Sequence, residues 1–140
     1  MNFQLILTAE FLKYLFVANT VLIIDDDENL VELMATILGT LGITVLKAYD
    51  GPKGLEVYER ERPDVVIVDW VMKPYDGLEL GRRIKAIDPH AIMIVITGMS
   101  DPNKQKAAEK AGFFRFVAKP FQMTDFNQIV QDALQQKKIK

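Results

Sequence analysis

The sequence predicts an α/β protein in which five parallel strands alternate with five helices. Short runs of consecutive apolar residues, rich in Val and Ile, recur along the chain, as expected for strands buried on both faces. Segments with apolar residues at helical spacing separate these runs. Because strand and helix alternate strictly, crossover connections must join the strands, which makes the sheet parallel and covers both of its faces.

The composition narrows the possible classes of protein. The 140 residues fit one domain of ordinary size, and 17 basic against 19 acidic residues give no basic surface for direct nucleic-acid binding. The absence of cysteine excludes a disulfide framework, a zinc–thiolate site and a thiol nucleophile. No run approaches the roughly 20 apolar residues of a membrane-spanning helix, so we expect a cytoplasmic protein.

The first strand, residues 21–24, is followed at once by three acids. Asp27 is well placed to cap the next helix, which should end at Gly42. Asp25 and Asp26 are left without a structural role. Adjacent carboxylates repel one another and favour protonation unless a cation neutralises them. The pair therefore indicates a site for a hard divalent cation such as Mg²⁺.

The second strand, residues 43–48, contains Lys47, which favours a less buried position at the edge of the sheet. Pro52 suits the first turn of the helix that follows, and this helix should run to about Glu61. The third strand, residues 64–69, is apolar through its middle and, like the first, ends in a carboxylate.

The last two strands also end in polar side chains. The fourth strand, residues 91–96, leads to Thr97, and the fifth, residues 113–118, leads to Lys119. Arg115 interrupts the fifth strand and marks a second edge. The helices after the third, fourth and fifth strands are predicted to end near Asp88, Gly112 and Lys138.

These edges select a strand order. With the second and fifth strands at the edges and the apolar first, third and fourth strands inside, the order is 2-1-3-4-5, the flavodoxin-like (βα)5 arrangement. Ligands bind such sheets outside the carboxyl ends of the strands, where the strand order reverses. Here that crevice lies between the first and third strands, so Asp25 and Asp26 should meet Asp69 there. Thr97 and Lys119 should enter from the next two strands.

Each of these side chains alone has a simpler explanation, since a terminal Asp commonly caps a helix and Thr or Lys is common in surface turns. Together they favour phosphoryl transfer onto a carboxylate, with Asp69 as the nucleophile. Asp26, Asp69 and the backbone carbonyl of Val71 would bind Mg²⁺. Lys119 would bind one phosphoryl oxygen as a point charge, and Thr97 would donate a hydrogen bond to another.

From Val21 to about Lys138 the chain resembles the receiver domain of bacterial two-component response regulators. The matching motifs are Ile23-Ile24-Asp25-Asp26, Val66-Ile67-Val68-Asp69, Asp76-Gly77, Ile96-Thr97-Gly98 and Val117-Ala118-Lys119-Pro120-Phe121. The resemblance implies that Asp69 is the phosphoacceptor, that Asp25 and Asp26 are metal-site acids, and that Thr97 and Lys119 contact the phosphoryl group. Phe116 matches the family's rotating aromatic and forms the switch with Thr97.

The resemblance also implies a function and its partners. A histidine kinase or a histidine phosphotransfer protein would donate the phosphoryl group, and an output partner that the sequence does not identify would read the switched face. Beyond this Mg²⁺-dependent phosphotransfer and autodephosphorylation we expect no enzyme activity. Two features depart from the family pattern: Lys73 stands where Pro is usual, and residues 1–19 precede the receiver domain, which we assign to residues 20–140.

Two alternative functions remain open from the residues. Asp25-Asp26-Asp27 contains the Asp-x-Asp motif of haloacid-dehalogenase-like phosphatases, but that family needs a further acidic pair at a strand end after the lysine, whereas Asp125 and Asp132 fall in the last helix. A receiver-like module that binds a partner without switching is the other alternative, although it should have lost part of the acidic set or the lysine.

The first 19 residues are apolar, with only Glu10 and Lys13 charged. Thr8 suits a helix N-cap and predicts a helix from about Ala9 to Ala18. So wide an apolar surface should dock on the receiver, on a second copy, on a partner or on a membrane surface. We favour a homodimer formed through this segment; the face of the fourth helix, fifth strand and fifth helix is a second candidate for self-association.

Overall fold

The computed structural model describes residues 19–98 and 101–139. Its five strands are β1 (Thr20–Ile24), β2 (Thr44–Ala48), β3 (Val65–Asp69), β4 (Met93–Thr97) and β5 (Arg115–Ala118). Its helices, numbered here in chain order, are α1 (Glu28–Thr40), α2 (Gly51–Glu61), α3 (Gly77–Ile87), α4 (Pro102–Lys110) and α5 (Met123–Ile139). The predicted helix over 9–18 lies outside the described residues.

The sheet is parallel throughout, and its order β2-β1-β3-β4-β5 confirms the predicted topology. The edge strands carry the charged side chains, Lys47 in β2 and Arg115 in β5, and both are exposed. The inner strands β3 and β4 are buried at every residue. A charged side chain is tolerated at the edges because water reaches one side of those strands.

Two apolar cores lie on opposite faces of the sheet. Helices α1 and α5 pack on one face, where Met34, Leu38, Phe126 and Val130 are buried against β1, β3 and β4. The remaining three helices cover the other face, around Tyr58 and their own apolar side chains. Helices on both faces leave only the strand ends open to solvent, so the carboxyl edge is where a site can form.

Four helices begin at an Asp whose carboxylate accepts a backbone N–H three residues on. These are Asp27, Asp50, Asp76 and Asp101, with N–O distances of 2.7–3.2 Å. The cap satisfies one of the free donors in the first turn of each helix. This confirms that Asp27 is a helix cap, and it separates the structural acids from those that remain available for chemistry.

Among the described residues, no helix is both long enough and apolar enough to cross a membrane.

Candidate functional site

The register of the sheet brings three carboxylates together. Ile24 of β1 pairs with Val68 of β3, so the next residues along the two chains are neighbours: Asp25, which follows β1, and Asp69, the last residue of β3. With Asp26 they offer carboxylate oxygens that all lie within 4.8 Å of one another. The predicted meeting of Asp25 and Asp26 with Asp69 is therefore found in the structure.

The three acids differ in their exposure to water. Asp25 is 2% and Asp69 8% exposed, whereas Asp26 is exposed at the mouth of the crevice. Asp25 is fixed by the backbone N–H of Asp27, which donates to its Oδ1 at 2.9 Å. The inner two carboxylates are thus held on the rigid sheet, while the outer one faces the solvent from which a cation would enter.

Lys119 is the counter-charge of this cluster. Its Nζ lies 3.5 Å from Oδ1 of Asp69 and 4.0 Å from Oδ2 of Asp25. The backbone N–H of Lys119 donates to the carbonyl of Thr97 at 2.7 Å, which ties the end of β5 to the end of β4. The peptide bond between Lys119 and Pro120 is cis. One ammonium among three carboxylates leaves an excess of negative charge.

Burial is the main cause of the shifted pKa values at this site, and the excess negative charge adds to it. The pKa of Asp25 is raised from its ordinary 3.8 to about 7: burial is the largest cause and the charge of Asp69 adds to it, while the N–H of Asp27 and the charge of Lys119 oppose the shift. Burial likewise raises the pKa of Asp69, against the attraction of Lys119. Both carboxylates would ionise more readily if a further cation were bound.

The donor set fits Mg²⁺. The ligand atoms of the cluster are all carboxylate oxygens, as hard divalent cations require, and the loop after β3 begins directly after Asp69. Val71 belongs to that loop, and its side chain is 61% exposed. The loop is closed at its base because the N–H of Gly77 donates to the carbonyl of Trp70 at 2.7 Å. When bound, Mg²⁺ would neutralise negative charge at this edge.

The loop is also held against α2 and α3 by the ring of Tyr75, one of its own residues, a contact that sequence patterns did not indicate. Tyr75 lies so close to Gly51, at the start of α2, that a Cβ there would stand 2.7 Å from the ring. The guanidinium of Arg83 lies 4.1 Å from the centre of the same ring. No local pattern could have predicted this contact, since it joins three separate elements.

The two predicted switch residues lie on neighbouring strands. Thr97 is the last residue of β4 and is fully buried. Phe116, on β5, is half-buried and meets Trp70 edge-on, with ring centres 6.2 Å apart at 78°. Nζ of Lys104 on α4 lies 5.3 Å from the centre of the Trp70 ring. Trp70, next to Asp69 in the chain, therefore links the acid cluster to α4 and β5. The contact with Lys104 has no counterpart among the sequence predictions.

The acids that follow Lys119 in the chain do not belong to the carboxylate cluster of Asp25, Asp26 and Asp69. Asp125 lies in the first turn of α5, and Asp132, on the same helix, accepts a hydrogen bond from Gln128 at 2.8 Å. The predicted placement of both acids on the last helix is confirmed. Their position leaves the acidic pair of that family without an equivalent among the acids after Lys119.

The family model of the response regulator receiver domain matches residues 21–131. The chain belongs to the response regulator receiver family. The receiver is 34% identical over 117 residues to the chemotaxis protein CheY of Halobacterium salinarum, a match that covers 84% of this chain and 98% of CheY. The expected family and fold are therefore confirmed, together with the general role of such domains as phosphoryl-accepting modules of two-component signalling.

Two further matches are to a longer regulatory protein and to a chain in a solved complex. It is 35% identical over 115 residues to the transcriptional regulatory protein GlrR of Escherichia coli, covering 82% of this chain but only 26% of GlrR. The solved complex of CheX, CheY, BeF3 and Mg²⁺ from Borrelia burgdorferi contains a chain with 26% identity and a TM-score of 0.78, covering 81% of this chain and 87% of that chain.

The raised pKa of Asp25 predicts an unusual pH dependence of stability in metal-free buffer. Because the folded receiver keeps Asp25 protonated up to about pH 7 while the unfolded chain loses the proton near 3.8, the folded state binds more protons in between. The free energy of unfolding should therefore fall as pH rises towards 7, by up to about 1 kcal/mol per pH unit, and then level off. Urea unfolding from pH 5 to 8 measures this.

The variant Asp25→Asn is the control for that prediction. It cannot lose a proton, so its free energy of unfolding should change less over the same range, and it should exceed that of the natural chain most clearly above pH 7. Equal slopes for the two proteins would show that Asp25 titrates with an ordinary pKa.

Proposed function

We propose that Asp69 accepts a phosphoryl group from a phosphohistidine donor, with Mg²⁺ bound by Asp25, Asp26, Asp69 and the backbone carbonyl of Val71. The observation that carries the proposal is the position of Asp69. It is nearly buried at the end of β3, within ligand distance of two further carboxylates and 3.5 Å from the ammonium of Lys119. A carboxylate in that place can act as a nucleophile while its surroundings neutralise the incoming charge.

Few bonds are made or broken in the transfer, and the protein acts mainly by positioning the reacting groups and neutralising charge. An oxygen of the Asp69 carboxylate attacks phosphorus, the P–N bond to the donor imidazole breaks, and the imidazole nitrogen keeps the electron pair and takes a proton. Lys119 moves from Asp69 to a phosphoryl oxygen, and the hydroxyl of Thr97 donates to another. Attack of water on the same phosphorus returns the free carboxylate and releases phosphate, which is the autodephosphorylation expected of the receiver.

Intact mass spectrometry with a small phosphodonor, with and without Mg²⁺, tests the proposal. We expect a gain of one phosphoryl group that requires Mg²⁺ and disappears in hydroxylamine, because an acyl phosphate is labile. The adduct should be absent from Asp69→Ala and retained in the control Asp132→Ala, whose carboxylate lies on α5. An adduct that forms without metal, or that survives hydroxylamine, would place the modification on another residue.

Phosphorylation is proposed to act through Thr97 and Phe116. Movement of the Thr97 hydroxyl towards the phosphoryl group would vacate space beside β5, and the ring of Phe116 would turn away from Trp70 to occupy it. Since Phe carries no hydroxyl, its inward position buries no polar group. It should therefore be populated more often without phosphate than the inward position of a Tyr would be.

Amide hydrogen exchange with and without beryllofluoride, a phosphoryl mimic, tests this switch. We expect protection to change across residues 101–121, which hold α4 and β5, while α2 at the far side of the sheet stays unchanged. Identical exchange of residues 101–121 in the two states would contradict the switch without affecting the assignment of Asp69.

The partners follow from the same proposal. A histidine kinase or histidine phosphotransfer protein, acting in the cytoplasm, would supply the phosphoryl group at the carboxyl edge of the sheet. The face formed by α4, β5 and α5 would change shape on phosphorylation and bind an output partner or a second copy of the receiver. Half-buried Phe116 gives that face an apolar component for such a contact.

A further inference from the structure

Helix α1 carries an apolar surface that the fold does not cover. Leu33 and Leu41 are 49% and 47% exposed, and Ile37, between them, is half-buried. Leu33 and Ile37 lie on the helix and Leu41 is its C-cap residue; these three residues, spaced four apart, form one line, which we name the α1 stripe. The buried side of α1 is a separate face, formed by Val31, Met34, Ala35 and Leu38.

The other large exposed apolar side chains among the described residues have local explanations. Val71 lies in the loop after β3 beside the acid cluster, and the hydroxyl of Tyr49 donates to Glu32 at 3.1 Å. Only the α1 stripe combines neighbouring exposed leucines on one regular element. An exposed row of apolar side chains is stable in water only if another apolar surface covers it.

The chain enters the fold next to the stripe. The N–H of Thr44 donates to the carbonyl of Asn19 at 2.9 Å, and Leu41 precedes Thr44 by three residues. Three residues span at most about 10 Å of extended chain, so Asn19, the first described residue, lies close to the Leu41 end of the stripe. A segment that leaves Asn19 in the direction of Leu33 would run along α1 with no linker to cross.

The length and the composition of the N-terminal segment also match the α1 stripe. Leu41, the C-cap, follows Leu33 by eight positions, about 12 Å at the helical rise, and the helix that the sequence predicts over 9–18 would be about 15 Å long. That segment carries Phe11, Leu12, Leu15 and Phe16, with Glu10 and Lys13 as its only charged residues. It therefore supplies apolar side chains over the length that the stripe offers.

We propose that residues 1–18 dock on the α1 stripe of the same chain. A segment joined directly to β1 is present at the stripe at an effective concentration of the order of millimolar, which a second copy reaches only in concentrated solution. Docking in cis covers the exposed leucines and the apolar segment at once. The inference does not depend on the phosphoryl chemistry proposed above.

Cysteine labelling of the full chain tests the docking, since the natural sequence contains no cysteine. A single reporter, Leu33→Cys, is reacted with a charged maleimide in the otherwise natural chain and in a chain that also carries Leu12→Asp and Phe16→Asp. Docking should protect the thiol, so the two aspartates should increase its labelling rate by about tenfold or more. The control reporter Glu59→Cys, exposed on α2, should react at one rate in both backgrounds.

Circular dichroism checks that each variant folds. If one folds poorly, the measurement is repeated with a second reporter, Leu41→Cys, or a second disruption, Leu15→Asp. Light scattering at each concentration used should give the mass of a monomer. Equal labelling rates with the natural and disrupted segments would overturn the proposal and leave the stripe free for another partner. Protection that increases with protein concentration alongside a dimer mass would also overturn it, in favour of a second copy.

Discussion

Replacing Lys119 with alanine is expected to slow phosphorylation of Asp69 by about 10²–10³-fold, the usual loss when one positioned charge is removed from a developing anion. Nζ of Lys119 lies 3.5 Å from Asp69 and 4.0 Å from Asp25, so its ammonium is within ion-pair distance of both buried carboxylates. A mass-spectrometric time course with a small phosphodonor at saturating Mg²⁺ measures the rate.

The same substitution should change Mg²⁺ binding in the opposite direction. Removing an ammonium from the carboxylate cluster removes a charge that repels Mg²⁺, so the affinity for the metal should rise several-fold while the phosphorylation rate falls. The fluorescence of Trp70, the single tryptophan and the neighbour of Asp69, provides the titration signal.

Lys106→Ala is the matched control, because Lys106 is an exposed lysine on α4. It should leave both the rate and the metal affinity unchanged. A Lys119→Ala protein that phosphorylates at the natural rate would show that Lys119 does not contact the transferred group. Weaker Mg²⁺ binding in that protein would show that Lys119 holds the acids in place instead of competing with the cation.

The architecture was predictable because each relevant signal is local in the sequence. A run of Val and Ile identifies an inner strand without knowledge of its neighbours, and one charged residue, Lys47 or Arg115, identifies an edge. Once the order was fixed, the parallel register carried Asp25 and Asp69 to the same edge, since the end of every strand lies there. The acid cluster and its lysine followed from topology alone.

Contacts that join distant elements were not predictable in the same way. The approach of Lys104 to Trp70, and that of Tyr75 to Gly51, depend on side-chain directions set by packing, which leave no periodic trace in the sequence. The exposure of Leu33 and Leu41 has a related cause. The apolar arc of α1 is wider than the strip of sheet available to it, and spacing alone does not say which part of such an arc is covered.

Gly77 shows how a residue outside the chemistry supports the site. Its N–H donates to the carbonyl of Trp70 at 2.7 Å, and a Cβ added to it would stand 2.3 Å from the carbonyl oxygen of Asp69. That atom belongs to the backbone of an inner strand and cannot rotate away as the end of a side chain can. Helix α3 can therefore start this close to β3 only because Gly77 has no side chain.

Gly77→Ala is accordingly expected to lower the free energy of unfolding by about 3 kcal/mol, near the upper end of the cost of overpacking. To relieve the contact, either α3 must move outward or the end of β3 must shift. Because the second movement displaces Asp69, Mg²⁺ binding followed by Trp70 fluorescence should weaken as well. Urea unfolding measures the change in stability.

Gly39→Ala is the matched control, with the same change of residue on α1. Apart from its chain neighbours and the backbone of its own helix, no atom lies within 4 Å of the position where its Cβ would stand, and alanine is favoured over glycine within a helix by up to about 1 kcal/mol. This variant should therefore be slightly more stable than the natural chain and should bind Mg²⁺ unchanged. If Gly77→Ala proved as harmless as Gly39→Ala, the close approach of α3 to Asp69 could not be what fixes the end of β3.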